Sequence, residues 1–423
     1  MIRTPRILIL VMLFILLAGC VPTGMDFPAT ISPTLTPDFL PTITAVPTRL
    51  IPTNTAISSA ETTQSVFLKQ VYFKDPLYGF AIGGSNGKSM LLKSNDGGKT
   101  WKDFTPPILK VRLDETLMDL TAAFMGTSRL WVAYSSPFGE VTPENQIIYS
   151  DDAGMTWLES TPLDNSGLVE SFFISHLIFV DERHGWLMAH VGAGMNHDYI
   201  TIYRTQDGGS TWTRIVDPLD NDAGIQSCQK NGIWFADELH GWLTGSCNGV
   251  AAGVLLYRTD DGGVTWQAVE LPVPAGFESL FSMENGYCGS NPIHGADPSP
   301  LHIEVACRQV NPVEATVFFD AVSEDDGSTW TIANVDHSRA YMYDAGDGYF
   351  VDLAREWRWS EDEGVTWVAS VVKPVWQGYG IDFQAITTSY WLALVWDDGK
   401  TNLAFSEDQG KSWEMLDPVW VSE

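Results

Sequence analysis

The stretch Thr259-Asp260-Asp261-Gly262-Gly263-Val264-Thr265-Trp266 decides the fold, because its pattern, Ser/Thr-x-Asp-x-Gly-x-Thr/Ser-Trp, is written seven times in the chain. We call this eight-residue pattern the box. The seven boxes begin at Ser94, Ser150, Thr205, Thr259, Ser323, Ser360 and Ser406. A pattern that recurs at intervals of tens of residues predicts a repeat architecture, in which each unit buries its apolar face against its neighbours.

Each box carries the residue types of a tight hairpin turn. A carboxylate can accept hydrogen bonds from backbone N–H groups, glycine can take a positive φ, and the closing tryptophan can pack between sheets. We therefore expect structural roles for the box aspartates, which are Asp96, Asp152, Asp207, Asp261, Asp325, Asp362 and Asp408. A shared catalytic or metal site is disfavoured, because one aspartate per repeat leaves these residues too far apart to cooperate.

A second pattern precedes most boxes, an acidic turn followed by glycine, an aromatic residue and an aliphatic one, as in Asp237…Gly241-Trp242-Leu243. With the apolar runs around it, each repeat reads as strand, turn, strand, loop, strand, box turn, strand. Four antiparallel strands repeated radially predict an all-β fold, a single seven-bladed β-propeller. In the fifth repeat we assign Gly286-Tyr287 to the same turn, which places the loop from Gly289 to His302 at the end opposite the boxes.

The segment before the repeats predicts where the protein is exported to and how its folded part is attached. Residues 1–19 join a basic start to an unbroken apolar run, which is typical of a signal peptide. The closing Leu17-Ala18-Gly19-Cys20 resembles the lipobox of bacterial lipoproteins, which implies that Cys20 is lipidated; an ordinary signal peptide or a short anchor helix is the alternative. Residues 20–65 are rich in Pro and Thr and predict a disordered linker, so residues 66–423 should form the propeller. The expected location is the bacterial cell envelope, extracytoplasmic and lipid-anchored.

The chain is strongly acidic. Its formal net charge is −29, and removal of Arg3 and Arg6 with the signal peptide would make it −31. Such a charge repels phosphate backbones and anionic headgroups, so we expect no nucleic-acid partner and no membrane contact beyond the lipid anchor. We also expect no cofactor and no bound metal.

Four cysteines remain after Cys20, and they form two pairs that are each separated by 19 residues. A hairpin centred between each pair would bring its sulfurs together, so we expect two disulfides in an extracytoplasmic protein. The pairs are Cys228 with Cys247 and Cys288 with Cys307. The alternative for the second pair is a zinc site made with His294 and His302, although the spacing fits no standard zinc module.

The box and the second pattern resemble the Asp-box, or bacterial neuraminidase repeat, family of sialidase-like propellers. Residues 240–266 look most like the photosystem II stability and assembly factors, and the resemblance covers about residues 66–416. It implies a seven-bladed propeller that acts as a non-enzymatic assembly factor. The chain departs from that family's arginine-rich binding patch, because its eleven arginines after Cys20 are scattered.

The variable loops at the end opposite the boxes are the expected binding face, for a protein or glycan partner. Candidate contacts there are His190, His197, Asp198, Trp376 and Tyr379. The alternative function is glycoside hydrolysis, sialidase-like or glucan-cleaving, on surface or environmental polysaccharide. The chain lacks the Arg-Ile-Pro motif of sialidases and has length for only one propeller, whereas xyloglucan-cleaving glycosidases pair two. A non-enzymatic binding or assembly role is therefore favoured.

Overall fold

A computed structural model describes most of the chain after residue 49. The described residues are 50–52, 63–85, 88–110, 119–135, 147–168, 171–194, 197–218, 223–225, 228–247, 253–282, 284, 286–291, 300–309, 316–335, 342–354, 356–362, 364–373, 378–416 and 420–422. The predicted signal peptide, Cys20 and Trp376 lie outside these residues, as does most of the predicted linker.

The regular secondary structure of the described residues is almost entirely β-strand, with a short helical turn at 107–110. The strands are β1 (Leu50–Pro52), β2 (Thr63–Ser65), β3 (Phe67–Phe73), β4 (Gly79–Ser85), β5 (Lys88–Ser94), β6 (Thr100–Asp103), β7 (Asp119–Met125), β8 (Arg129–Ser135), β9 (Ile147–Ser150), β10 (Thr156–Glu159), β11 (Phe173–Phe179), β12 (Gly185–Gly194), β13 (His197–Thr205), β14 (Thr213–Val216), β15 (Gln229–Phe235), β16 (Gly241–Ser246), β17 (Leu255–Thr259), β18 (Gln267–Ala268), β19 (Gly286–Ser290), β20 (Leu301–Gln309), β21 (Val317–Ser323), β22 (Thr331–Val335), β23 (Met342–Gly346), β24 (Tyr349–Asp352), β25 (Arg358–Ser360), β26 (Val368–Ala369), β27 (Val371–Lys373), β28 (Tyr379–Ala385), β29 (Trp391–Asp397), β30 (Lys400–Ser406), β31 (Ser412–Met415) and β32 (Trp420–Ser422).

These strands form antiparallel runs of four that follow the order of the chain. Within the described residues the runs are β3–β6, β7–β10, β11–β14, β15–β18, β19–β22, β23–β26 and β28–β31, which we number run 1 to run 7. Strands β27 and β32 add in parallel to the outer strands β31 and β6. Strands β1 and β2, which lie inside the predicted linker, pair with β10 and β32. The predicted all-β class and four-stranded antiparallel unit are confirmed.

The boxes form the turns between third and fourth strands, and their hydrogen bonds explain their composition. In the first box, the Asp96 carboxylate accepts hydrogen bonds from the Ser94 hydroxyl and from both the backbone N–H and the hydroxyl of Thr100. The Ser94 oxygen accepts the N–H of Gly98, which lies at φ +82°. The same bonds recur in the other boxes, around Asp152, Asp207, Asp261, Asp325, Asp362 and Asp408. The carboxylate and the first hydroxyl of each box are therefore bonded within its own eight residues, while a glycine N–H of the box, such as that of Gly262, donates to the preceding turn, to the carbonyl of Leu239.

The core lies between neighbouring runs rather than inside any one of them. Buried side chains form clusters that each draw on two adjacent runs, such as Trp186 and Ile202 of run 3 with Phe235 and Leu243 of run 4. Six box tryptophans are buried, whereas Trp367 of the short run 6 is only partly buried. Stacking thus buries the apolar surface that a single sheet would leave exposed.

Run 7 also packs against run 1. The side-chain amide of Gln384 donates to the carbonyl of Phe73 at 2.7 Å and accepts the Phe73 N–H at 2.7 Å. The Thr401 hydroxyl accepts the N–H of Leu68 at 2.7 Å. A hydrophobic cluster that contains Leu68 and Leu392 fills the interface between the two runs, and we call such an interface between neighbouring runs a seam. The last run therefore adjoins the first.

The fifth run differs from the prediction. Leu301 lies opposite Ser323, the first residue of the box, just as Gly241 lies opposite Thr259 in run 4. Gly286 instead begins β19, the first strand of its run. The first and second strands of this run, which end at Ser290 and begin at Leu301, are therefore connected at the box end and not at the opposite end as predicted. Gly286-Tyr287 matches the turn pattern in sequence but occurs one strand earlier.

Both predicted disulfides are present. Cys228 and Cys247 flank the β15–β16 hairpin, with Cα atoms 5.0 Å apart, and Cys288 and Cys307 are directly opposed in β19 and β20, with Cα atoms 4.1 Å apart. The zinc alternative is wrong, because a disulfide sulfur is not available as a thiolate ligand.

Candidate functional site

The end of the sheets opposite the boxes, which we call the loop end, holds a polar cluster between runs 3 and 4. His190 lies late in β12, and Asp198 lies across the same hairpin on β13. The Nδ1 atom of His190 is 2.8 and 3.1 Å from the two carboxylate oxygens of Asp198. The structure therefore brings together two of the predicted site residues as a hydrogen-bonded pair.

Lys230 completes this cluster from the next run. It lies in β15, directly after Cys228 and Gln229, and its side chain is buried. Its backbone N–H donates to Asp198 at 3.0 Å, and its ammonium donates to the Asp198 carbonyl at 2.6 Å. The Cys228–Cys247 disulfide holds the end of the hairpin from which Lys230 extends. Asp198 is thus fixed from two runs.

Burial and charge set the protonation of the cluster. Burial raises the pKa of Asp198, but the hydrogen bond from His190, the charges of His190 and Lys230, and the Lys230 N–H together hold it below its ordinary value. Burial lowers the pKa of Lys230 to about 8, against the opposing effect of Asp198. Burial, and then the charge of His190, lower the pKa of the nearby His176 to about 4. At neutral pH the cluster thus holds a carboxylate and a neutral His176.

This geometry leaves one ring nitrogen of His190 for a ligand. With Nδ1 donating to Asp198, Nε2 is the ring nitrogen that the pair leaves unbonded. Within the described residues Nε2 of His190 makes no hydrogen bond. A carboxylate-oriented imidazole beside a buried lysine can bind a polar ligand or take up a proton. Sequence reasoning missed Lys230 and His176, because neither lies in a motif.

The other predicted contacts are placed separately. His197 lies at the exposed tip of the β12–β13 hairpin, with its ring stacked near Tyr199 at a centroid distance of 6.2 Å. Tyr379 begins β28 at the loop end of run 7, which does not adjoin run 3 in the order of the runs. Trp376 lies outside the described residues.

Among the residues that the structure describes, one group of potential metal ligands lies at the box end, Asp181, His184 and Glu238, whose ligand atoms are all within 4.8 Å of one another. Asp181 already accepts the N–H groups of Arg183 and His184 and contacts the His184 ring. The equivalent turn of run 4 repeats these contacts with Asp237 and His240. The group is therefore explained by the turn itself.

Two observations concern the location of the protein. The disulfides are typical of proteins that fold outside the cytoplasm. Among the described residues, no helix has the length and apolar character needed to cross a membrane.

Solved structures similar to this chain include those that the sequence resemblance predicts. YCF48 from Cyanidioschyzon merolae matches 85% of this chain and 98% of its own at 15% identity, with a TM-score of 0.49. A GH74 xyloglucanase from Xanthomonas campestris matches 79% and 62% at 13% identity, with a TM-score of 0.32. Prolyl oligopeptidase B from Galerina marginata matches 85% of this chain and 51% of its own at 13% identity, with a TM-score of 0.51.

No protein-family model matches the sequence, and a search of curated proteins found no match. The identities of the similar structures are too low to transfer an activity, so the comparisons concern the fold alone. The predicted resemblance is confirmed only as a likeness of fold.

Proposed function

We propose that this chain is a lipid-anchored extracytoplasmic protein whose residues 66–423 form a seven-bladed β-propeller, and that it binds a protein or glycan partner at its loop end without enzymatic chemistry. The seven four-stranded runs and the contacts between run 7 and run 1 support the blade number. Residues 1–19 are its signal peptide, Cys20 its lipid attachment site, and residues 20–65 its linker.

The observation that carries the binding role is the His190–Asp198–Lys230 cluster. The box carboxylates are occupied by hydrogen bonds of their own turns, whereas the loop-end cluster presents His190 Nε2 beside variable loops. A fixed polar group on a rigid scaffold is the usual form of a specific binding site. The net charge of −29 supports a partner other than nucleic acid.

A capture experiment with a matched control tests this role. Purified His190→Ala protein, immobilised on beads, is incubated with detergent-solubilised membranes of the native organism beside the wild type and His240→Ala. His240 pairs with Asp237 at 2.8 Å, as His190 pairs with Asp198, but it lies at the box end. We expect His190→Ala to lose the captured partner and His240→Ala to keep it. Equal capture by all three proteins would contradict the assignment of the loop end.

A second candidate function is cleavage of a polysaccharide at the same cluster. The observation that favours it is the Asp198-oriented His190, which has the geometry of a general base. Incubation of the purified protein with soluble glucans and sialosides, followed by a reducing-end assay, tests this candidate. Release of reducing ends that disappears in His190→Ala would replace the non-enzymatic proposal with a catalytic one.

A further inference from the structure

The positive charge of this acidic chain is concentrated in one run. Seven of the eleven lysines lie between Lys69 and Lys110, in run 1 and the helical turn that follows it. Segment 66–110 has only three acidic residues and no arginine, a formal charge of +4 against −29 for the whole chain. Run 1 is therefore a local basic surface on a protein that otherwise repels anions.

Part of this basic surface surrounds a cavity at the box end, between runs 1 and 2. The cavity has a volume of about 440 Å³. Lys74, Lys93 and Lys102 line it, and all three are exposed. Its walls also contain Phe80 and two exposed side chains, Tyr78 and Met155, which are 54% and 64% exposed.

At the seam between runs 3 and 4, the position that corresponds to this cavity is filled by side chains that contact the next run. There the indole N–H of Trp186, on the second strand, donates to the carbonyl of Gly262 in the next box at 2.9 Å. Arg204, opposite Trp186 on the third strand, donates to the carbonyl of Glu238 in the next turn at 3.0 Å. A tryptophan and an arginine together join the two runs at the box end.

In run 1 both of these residues are different. Phe80 and Lys93 lie opposite each other in the register that Trp186 and Arg204 occupy in run 3. The phenylalanine side chain has no N–H to donate to the next box. The Lys93 ammonium lies 5.4 Å from the Phe104 ring centroid and makes no ion pair within the described part of the chain. The seam between runs 1 and 2 is therefore open where its counterpart is closed.

We propose that this cavity, which we call the lysine pocket, binds an acidic peptide segment of a partner protein. An apolar side chain of the segment fills the cavity, and flanking carboxylates meet Lys74, Lys93 and Lys102. The pocket is distinct from the loop-end cluster, because it lies at the opposite end of the sheets and between different runs.

Two features favour a peptide over an anionic glycan. The cavity walls combine Met155, Phe80 and Tyr78 with backbone, and a flexible thioether beside aromatic rings suits an apolar side chain. Among the described residues that line the cavity, the one carboxylate belongs to Asp152, whose oxygens accept bonds from Ser150 and Thr156, and Asp75 next to the cavity lies 3.8 Å from the Lys74 ammonium. The pocket thus combines three cations with apolar surface, and Asn95 and Thr127 add polar side chains at its wall.

The binding test uses fluorescence anisotropy with labelled five-residue peptides. The probes are acetyl-Glu-Asp-X-Asp-Glu with X as Leu, Met, Phe or Trp, and the comparison ligand is labelled tetragalacturonate. We expect at least one peptide to bind the wild type, and a rise from 50 to 500 mM NaCl to weaken it by about tenfold, because the rim charges become screened. Absence of binding up to about 1 mM for every peptide overturns the proposal. Tighter binding of tetragalacturonate than of any peptide overturns the peptide assignment.

Matched variants separate the pocket from general charge. Lys93→Glu with Lys102→Glu should weaken peptide binding by about tenfold or more. Lys88→Glu with Lys99→Glu makes the same change of net charge outside the pocket and should leave binding within about twofold. Equal losses in the two double variants would show attraction to bulk charge only and overturn the pocket.

A third variant closes the pocket and keeps its charge. Phe80→Trp with Lys93→Arg installs the pair that joins runs 3 and 4, and we expect peptide binding to fall by about tenfold while thermal unfolding stays at or above the wild-type temperature. Unchanged binding by this folded variant would overturn the proposal. Partner capture at the loop end should be unaffected, so the two sites fail or succeed independently.

Discussion

Replacing Asp382 by asparagine tests how run 7 meets run 1. Asp382 follows a β-bulge in β28, and Gln70 follows the equivalent bulge in β3. The Gln70 amide donates to the carbonyl of Ala122 in run 2 at 3.0 Å and accepts its N–H at 3.4 Å. Asp382 accepts the N–H groups of Phe383 and Val71, the latter in run 1. A carboxyl group therefore stands where run 1 uses an amide.

The size of the expected stability difference follows from the pKa of the Asp382 carboxyl. Burial raises the pKa of Asp382 to about 6, against the lowering effect of the Phe383 and Val71 hydrogen bonds. Each pKa unit corresponds to about 1.4 kcal/mol, so the shift from 3.8 costs up to about 3 kcal/mol of folding stability once the group ionises. Asp382 keeps some contact with solvent, and water that reaches the carboxylate reduces this cost, so the figure is an upper bound.

Because the pKa of Asp382 is raised, the pH range in which it changes folding stability lies between its unfolded and folded pKa values. Between pH 4 and pH 6 the folded state holds a proton on Asp382 that the unfolded state has released. The contribution of Asp382 to the free energy of unfolding therefore falls as the pH rises through this window and stays low above it. Asparagine is neutral throughout and keeps an oxygen that accepts hydrogen bonds. We expect Asp382→Asn to match the wild type near pH 4 and to exceed it by 1 to 3 kcal/mol, an order-of-magnitude figure, at pH 7.5.

Urea unfolding followed by tryptophan fluorescence at pH 4.5, 6 and 7.5 measures this difference. Asp261→Asn is the control of opposite sign, because hydrogen bonds of its turn outweigh burial and lower the pKa of Asp261. That variant should lose stability at pH 7.5. If Asp382→Asn is less stable than the wild type at pH 7.5, or if their difference is the same at all three pH values, the reasoning about the seam is refuted.

Four further predictions concern the rest of the chain. Asp261→Ala should cost about 1 to 3 kcal/mol, because it leaves turn donors unsatisfied, and thermal melting measures it. Cys20→Ala should abolish incorporation of a fatty-acid label, and unchanged labelling would exclude lipidation. Ala153→Gly should stabilise the second box by about 1 kcal/mol, because Ala153 lies at φ +57°; a lower melting temperature would contradict this. Replacing both Cys228 and Cys247 by serine should cost about 2 to 4 kcal/mol in chemical unfolding, and a fully stable variant would show that the disulfide is dispensable.

The fold could be predicted from sequence where its determinants are local. The box carboxylate and hydroxyls close their hydrogen bonds within eight residues, so every turn between third and fourth strands could be predicted. The disulfides were predictable because apolar stretches flank a central turn between Cys228 and Cys247. The fifth run was misread because Gly286-Tyr287 imitates the turn pattern while beginning the first strand.

The candidate site was predictable only in part, since its chemistry depends on neighbours in other runs. His190 and Asp198 share one hairpin, and variable-loop reasoning found both. Lys230 reaches Asp198 from 32 residues away. The bulge in β28 shifts the register by one residue and so decides where Asp382 points, which strand alternation does not reveal.

In this repeat, the residues that stabilise the turns are therefore different from the residues that could recognise a ligand. Because the carboxylate and hydroxyl bonds of each box close within the box, the positions that face the next run can differ without loss of these bonds. Run 3 places Trp186 and Arg204 at these positions and joins its neighbour, whereas run 1 places Phe80 and Lys93 there and leaves a cavity. Since the boxes are nearly the same in every run, the differences that create binding sites must lie at the seams and the loop end.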